Sequence, residues 1–277
     1  MELVEACRGK FDPFDIFVAL RVVGPLTESD LAPLKPCSLH LDGLSVFYGE
    51  RCALSALSGT FQSGTLTAIV GPNGGGKSTL LKAIMGQVPY EGRLTLEDAT
   101  PKDIAYLPQH SPVDRTFPLC VGDVVSMGLC HKGGFYQDLS YGAKDLIEAA
   151  LASVNLPRSA HRFLHTLSGG QFQKVLFARL SVQNAPIILL DEPFAAVDAH
   201  TTQDLMAQIT NWQAQGRTLL VVSHDMDLVR THFSHTLILA REAVAWGPTQ
   251  DVLTLDALHR ANTQFCEKEP CNKRKRT

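Results

Sequence analysis

Three short stretches of this sequence combine residue types that can hold and turn over a phosphate ester. Gly71-Pro72-Asn73-Gly74-Gly75-Gly76-Lys77-Ser78 spaces a glycine, four residues and Gly-Lys-Ser as a phosphate loop does. Glycines let backbone amides approach phosphates with no side chain in the way. A helix opening at Lys77 aims its positive end at the same anion. Lys77 then pairs with the outer phosphates and the Ser78 hydroxyl suits magnesium, with Thr79 next among the nucleotide contacts. The loop is shared by kinases and GTPases, so alone it leaves the use of the nucleotide open.

The second stretch is an apolar run at 187–190 that ends in Asp191 and Glu192. A carboxylate at the end of a buried strand can hold magnesium through water. The next residue projects differently and can act as a general base on water. The third stretch is Leu167-Ser168-Gly169-Gly170-Gln171. Ser168 and Gln171 have the spacing of a capping box for a helix with Phe172, Val175, Leu176 and Leu180 on its apolar face. A cap does not require Gly169 and Gly170, which bare the helix end for an anion.

These residues need a frame to hold them. Residues 65–70 form a short apolar strand leading into the loop, and a helix is expected from Lys77 to about Gly86. Apolar runs at 186–190 and 218–222 read as further buried strands, and such runs alternating with helices indicate a parallel sheet covered on both faces. Residues 38–41, 44–47 and, less cleanly, 53–61 alternate as half-buried strands. Helical periods at 121–129, 143–154 and 171–182 mark 118–183 as an inserted helical subdomain. A strand at 236–240 and a second at 243–246 read as a small edge hairpin.

Leu167 to Gln171 is the signature sequence of ATP-binding cassette proteins, and the chain resembles that family over about residues 38–253. The resemblance implies an α/β phosphate-loop NTPase fold of RecA type, with a parallel-sheet core, an N-terminal antiparallel β subdomain and the inserted helical subdomain. It implies an ATPase using ATP and Mg2+, in which the signature of one subunit closes over ATP on the phosphate loop of another. The remaining positions follow by resemblance. Tyr48 matches the aromatic that stacks on adenine, and Gln109 the glutamine that senses magnesium and connects to the membrane partner. Asp198 matches the aspartate that crosses the dimer interface, and His224 the histidine at the γ-phosphate. Lys174 stands where arginine is more usual, which keeps the charge and loses the planar fork. The stretches 117–128 and 192–198, with Phe194 after the proline, look like the subunits of bacterial importers of manganese, zinc or iron. An iron-chelate or vitamin importer is the nearest alternative. Further alternatives are an exporter subunit, a cassette ATPase without a transporter and a phosphate-loop kinase.

The resemblance implies as partners a second copy of the chain, an integral membrane permease and, indirectly, an extracytoplasmic substrate-binding protein. It implies a peripheral place on the cytoplasmic face of the cell membrane. Composition agrees: a net charge of −3 gives no reason to expect nucleic-acid binding, and no apolar run is long enough to span a bilayer. The seven cysteines are scattered and odd in number, which fits a reducing compartment better than a disulfide framework. Cys266, Cys271 and His259 do not complete a zinc pattern. Residues 1–37, without a period and rich in proline, are expected to be a loosely ordered extension, and 254–277 a tail whose basic end, Lys273 to Arg276, is solvated, a contact with acidic lipid or a regulator being the alternative.

Overall fold

The computed structural model describes residues 37–111, 113–129 and 143–267. Among the described residues the strands are, in chain order, β1 (Leu39–Tyr48), β2 (Arg51–Phe61), β3 (Leu66–Val70), β4 (Glu91–Leu96), β5 (Ile104–Leu107), β6 (Ile187–Asp191), β7 (Thr218–Val222), β8 (His235–Ala240) and β9 (Glu242–Pro248). The helices used below are α1 (Lys77–Ile84), α2 (Val121–Ser126), α3 (Ala143–Ser153), α4 (Gly169–Gln183), α5 (Ala199–Ala214), α6 (Met226–His232) and α7 (Leu255–Glu267). The chain divides into two compact units, one from residues 37–109, 186–193 and 212–267 and the other from 110–185 and 194–211.

The first unit holds both sheets. The larger has the order β5-β6-β7-β3-β8-β9, parallel except for the antiparallel β8–β9 edge. Every residue of β3, β6 and β7 is buried, as expected of continuous apolar runs with both faces covered. The smaller sheet, β2-β1-β4, is antiparallel and alternates. Leu39, Leu41, Leu44 and Val46 of β1 enter a core shared with Leu80, Leu81 and Ile84 of α1 and Leu189, Val222 and Leu239 of the parallel strands. The Phe61 and Trp246 rings, 4.5 Å apart, join that core at its edge.

The second unit is helical. Val121, Val124 and Val125 of α2, Ile147 and Leu151 of α3, and Phe172, Val175, Leu176 and Phe177 of α4 supply its buried apolar side chains. The α/β class, the antiparallel N-terminal sheet, the hairpin and the three helices agree with the sequence reading. The strands β4 and β5 did not emerge from it. Most of β4 is polar and exposed, and β5 has only four residues behind a 3-10 turn, so neither presents a readable period. The helical unit also extends beyond the expected 118–183, starting at His110 and taking in 194–211.

The two ends of the domain need correction. Cys37, assigned from sequence to the extension, is fully buried and its carbonyl accepts from the Thr218 hydroxyl at 2.6 Å. The segment from 254, read as a tail, is helical through Glu267. The Thr254 hydroxyl accepts from the Ala257 amide at 3.2 Å, and Ala257 and Ala261 are buried where α7 meets β8 and β9. Ala257, Leu258, Ala261 and Phe265 recur at helical spacing, a signal that the sequence reading passed over. Residues 1–36 and the basic run 273–276 lie outside the described residues. No helix among the described residues is long and apolar enough to cross a membrane.

Candidate active site

The strand β3 delivers the phosphate loop to the bare N-terminus of α1. Gly76, with φ of +97°, precedes the helix and offers no side-chain cap, and no acidic residue lies in the first turn. The amides there are left for an incoming anion. Gly71 has room for nothing larger, since a Cβ would stand 2.0 Å from the Leu239 carbonyl oxygen of β8. Lys77 is 6% exposed and its ammonium donates to the Gly71 and Pro72 carbonyls, each at 2.9 Å. Burial pushes the Lys77 pKa down, opposed by the nearby carboxylates of Glu192 and Asp191.

A cavity of about 670 Å³ opens over this loop, and it belongs wholly to the first unit. Ten of the residues singled out from sequence line it: Tyr48, Asn73, Gly74, Gly76, Lys77, Ser78, Thr79, Gln109, Glu192 and His224. Gly71, Pro72 and Gly75 shape the loop behind its wall. Two lining residues, Arg51 and Ala53, were missed. The β1–β2 register pairs Tyr48 with Arg51 across the turn at Gly49 and Glu50, so a hairpin drawn from the alternation would have put Arg51 beside Tyr48. Tyr48 leaves 48% of its surface exposed, a free aromatic face at the mouth.

The acidic pair lies at the end of β6. Glu192 takes a left-handed backbone, with φ of +52°, a strained choice for a non-glycine residue of the kind that gathers at functional sites. Its amide donates to the Val222 carbonyl at 3.2 Å. Its carboxylate is held from two sides: Gln109 Nε2 donates to one oxygen at 2.8 Å and His224 Nε2 to the other at 2.8 Å. Since a carboxylate only accepts, Nε2 carries the histidine proton. Asp191 is 3% exposed, and burial raises its pKa against the lowering effect of a hydrogen bond from Ser78 and of Lys77.

Magnesium can be tested against these residues. Asp191 Oδ1 is buried with no hydrogen-bond partner, and the Ser78 hydroxyl sits on the same carboxylate. An orphaned buried oxygen beside a hydroxyl fits a hard cation that keeps waters and takes phosphate oxygens for its other ligands. No group of three or more His, Cys, Asp or Glu side chains among the described residues forms a self-sufficient metal site.

Ser168, Gly169, Gly170, Gln171 and Asp198 lie in the helical unit. Ser168 and Gln171 form the expected capping box, the Ser168 hydroxyl accepting from the Gln171 amide at 3.2 Å and Gln171 Oε1 from the Ser168 amide at 3.3 Å. Arg115 donates to the Leu167 carbonyl and its guanidinium lies 5.1 Å from the Phe172 ring centroid. Asp198 caps α5, accepting from the Thr201 amide and hydroxyl at 2.8 Å each, and these bonds lower its pKa. Lys174 is buried and paired with Asp204, which also accepts from Asn155 at 2.8 Å.

Residues 54–195 match the family model described as ABC transporter. The manganese transport system ATP-binding protein MntB of Listeria monocytogenes is 39% identical over 221 residues, covering 78% of this chain and 92% of that protein. The zinc transport system ATP-binding protein TroB of Treponema pallidum is 36% identical, covering 81% and 86%. Among solved structures, one described as a metal-chelate type ABC transporter in an inward-facing conformation aligns with a TM-score of 0.73 and 27% identity, over 82% of this chain and 89% of that one. An ATP-binding cassette of an ABC transporter in its ADP conformation shares the fold, with a TM-score of 0.71 and 23% identity over 83% of this chain and 99% of the other. With a nucleotide-sized cavity over a phosphate loop and relatives of this kind along most of its length, the chain belongs to the ABC transporter family, as one of its ATP-hydrolysing cassettes.

Proposed function

We propose that the protein powers the import of a transition metal, manganese, zinc or iron, by coupling ATP binding and hydrolysis in a pair of copies to a partner permease. The observation that carries the coupling is the carboxylate of Glu192 held between Gln109 and His224. Gln109 is the last residue before the chain enters the helical unit, and Glu192 stands two residues before it enters that unit again at Phe194. The group that would activate water therefore sits beside both passages of the chain, and a change at the γ-phosphate can be felt along them.

In this reading ATP enters with its base on Tyr48, and its phosphates meet the loop amides and the N-terminus of α1. Lys77 exchanges the Gly71 and Pro72 carbonyls for phosphate oxygens. Ser78, Asp191 and Gln109 would hold magnesium, which offsets charge on the outer phosphates when bound. The nucleotide is closed from the far side by Ser168, Gly169 and Gly170 of a second copy, with Asp198 at the interface. If Gln109 and His224 turn from Glu192 toward the γ-phosphate, the Glu192 carboxylate is released to take a proton from the attacking water. Hydrolysis removes the charge that joins the copies, and they reopen. The pair would sit on the cytoplasmic face of the membrane, held by the permease, with an extracytoplasmic binding protein supplying the cargo.

The metal rests on the relatives' assignments to manganese and zinc. Isolation of the protein from native membranes should bring a polytopic partner, and the pair rebuilt in vesicles should take up manganese, zinc or iron only with ATP. Recovery without a membrane partner would sink transport, and uptake of a chelate or vitamin in place of the free metals would replace the cargo.

A further inference from the structure

We propose that the last turn of the C-terminal helix is a working part of the nucleotide site, with Phe265 and Arg241 as positioning residues that hold the phosphate loop in its binding shape. The inference rests on the reading that the loop takes a nucleotide. The helix α7 starts at a Thr254 cap, lies along β8 and β9 on Ala257 and Ala261, and carries Phe265 to the phosphate loop. The Phe265 ring sits so close to Gly74 that a Cβ on that glycine would stand 3.3 Å from the ring's Cζ. Gly74 lines the cavity, whereas Phe265 and Arg241 do not, so any effect of this pair on a nucleotide passes through the loop.

Arg241 holds the next residue. It lies between β8 and β9 with φ of +63°, donates its amide to the Gly75 carbonyl at 2.8 Å and accepts from the Ser55 amide at 2.8 Å. Its guanidinium lies 4.9 Å from the Phe265 ring centroid, a cation–π distance. Gly74 and Gly75 are thus each held from outside the cavity, one by a ring and one by a backbone hydrogen bond, and the two supports are joined to each other. A loop with four glycines in six residues loses much freedom when its amides converge on phosphate. Holding it in advance lowers that cost and appears as affinity. Displacement of α7 by a partner or by truncation would therefore weaken nucleotide binding, although no residue of the helix lines the cavity.

The test is the dissociation constant of a fluorescent ATP analogue for the full chain, its Phe265→Ala variant and its Phe265→Tyr variant, with amide exchange of 74–78 followed in the same proteins. Losing the support should raise the constant about fivefold or more in Phe265→Ala, Phe265→Tyr should restore it, and exchange at 74–78 should quicken while β3 stays protected. Phe265→Leu keeps an apolar residue in α7 but withdraws the ring. It replaces the alanine variant if that does not fold, and the same direction is expected. Constants within about twofold of the parent for the folded variants, with unchanged exchange, would overturn the inference. Absence of binding by the parent would instead overturn the functional reading beneath it.

Discussion

The two units use glycine for opposite reasons. In the nucleotide unit the loop glycines are forced by the chain itself, as at Gly71, where Leu239 leaves no space for a Cβ. In the helical unit the adjacent Gly169 and Gly170 part company. A Cβ on Gly170 would stand 2.7 Å from Thr201 Oγ1 and 3.4 Å from Asp198 Oδ2, so packing within the unit explains it. A Cβ on Gly169 would meet nothing within 4 Å. Nothing in its own surroundings requires Gly169 to be a glycine, and the space it leaves is at a helix N-terminus. One unit lines its cavity with its own residues, and on the proposed reading the other offers the Gly169 end of a helix to the nucleotide of a second copy.

The most damaging break in this contrast is at Glu192, the proposed base. Glu192→Gln should keep ATP binding and lower turnover by about 100-fold or more, read by phosphate release. Near-normal turnover would remove Glu192 from that role. Next, Gly169→Ala should lower turnover about tenfold while ATP affinity and melting temperature stay at or above the parent's, because a helical alanine is favoured over glycine wherever it fits. Gly170→Ala should instead cost about 1–3 kcal/mol of stability through overpacking against Thr201. Equal behaviour of the two variants would erase the distinction.

The smallest effect sharpens the comparison from the other unit. Burial raises the Asp191 pKa above the ordinary value of 3.8. Below that value both states are protonated and the group costs nothing. As pH rises toward the folded pKa the penalty of burying a charge accrues, and it persists at neutral pH. Asp191→Asn should therefore raise the melting temperature of the nucleotide-free protein at pH 7 and narrow that gain at low pH, while weakening magnesium-dependent ATP binding. A lower melting temperature at pH 7 would show that the carboxylate is stabilising as it stands.

Much of this frame was legible because burial leaves a mark on composition. The strands β3, β6 and β7 are buried throughout and mostly apolar since both faces are covered; Gly71 follows β3 directly and Asp191 ends β6. The loop was legible because close approach to an anion restricts residue type, and the signature because its five residues match a family pattern. Arg51 was not, because its place depends on pairing with Tyr48 across a turn, and pairing is a property of two strands at once. Asp198 shows the opposite limit. Resemblance pointed to a subunit interface, and the structure displays a helix cap, which would explain an aspartate there without any partner.

The most direct test is the mass of the Glu192→Gln protein in solution, measured by light scattering with and without ATP and magnesium. The mass should double when ATP is added. A Gly169→Asp change in the same background should leave it single although ATP still binds, since a carboxylate would then stand in the open space proposed for the other copy's phosphates. A Glu192→Gln protein that stays single with ATP bound, or a Gly169→Asp change that makes no difference, would contradict the proposal that the Ser168–Gly170 helix end of one copy completes the nucleotide site of another.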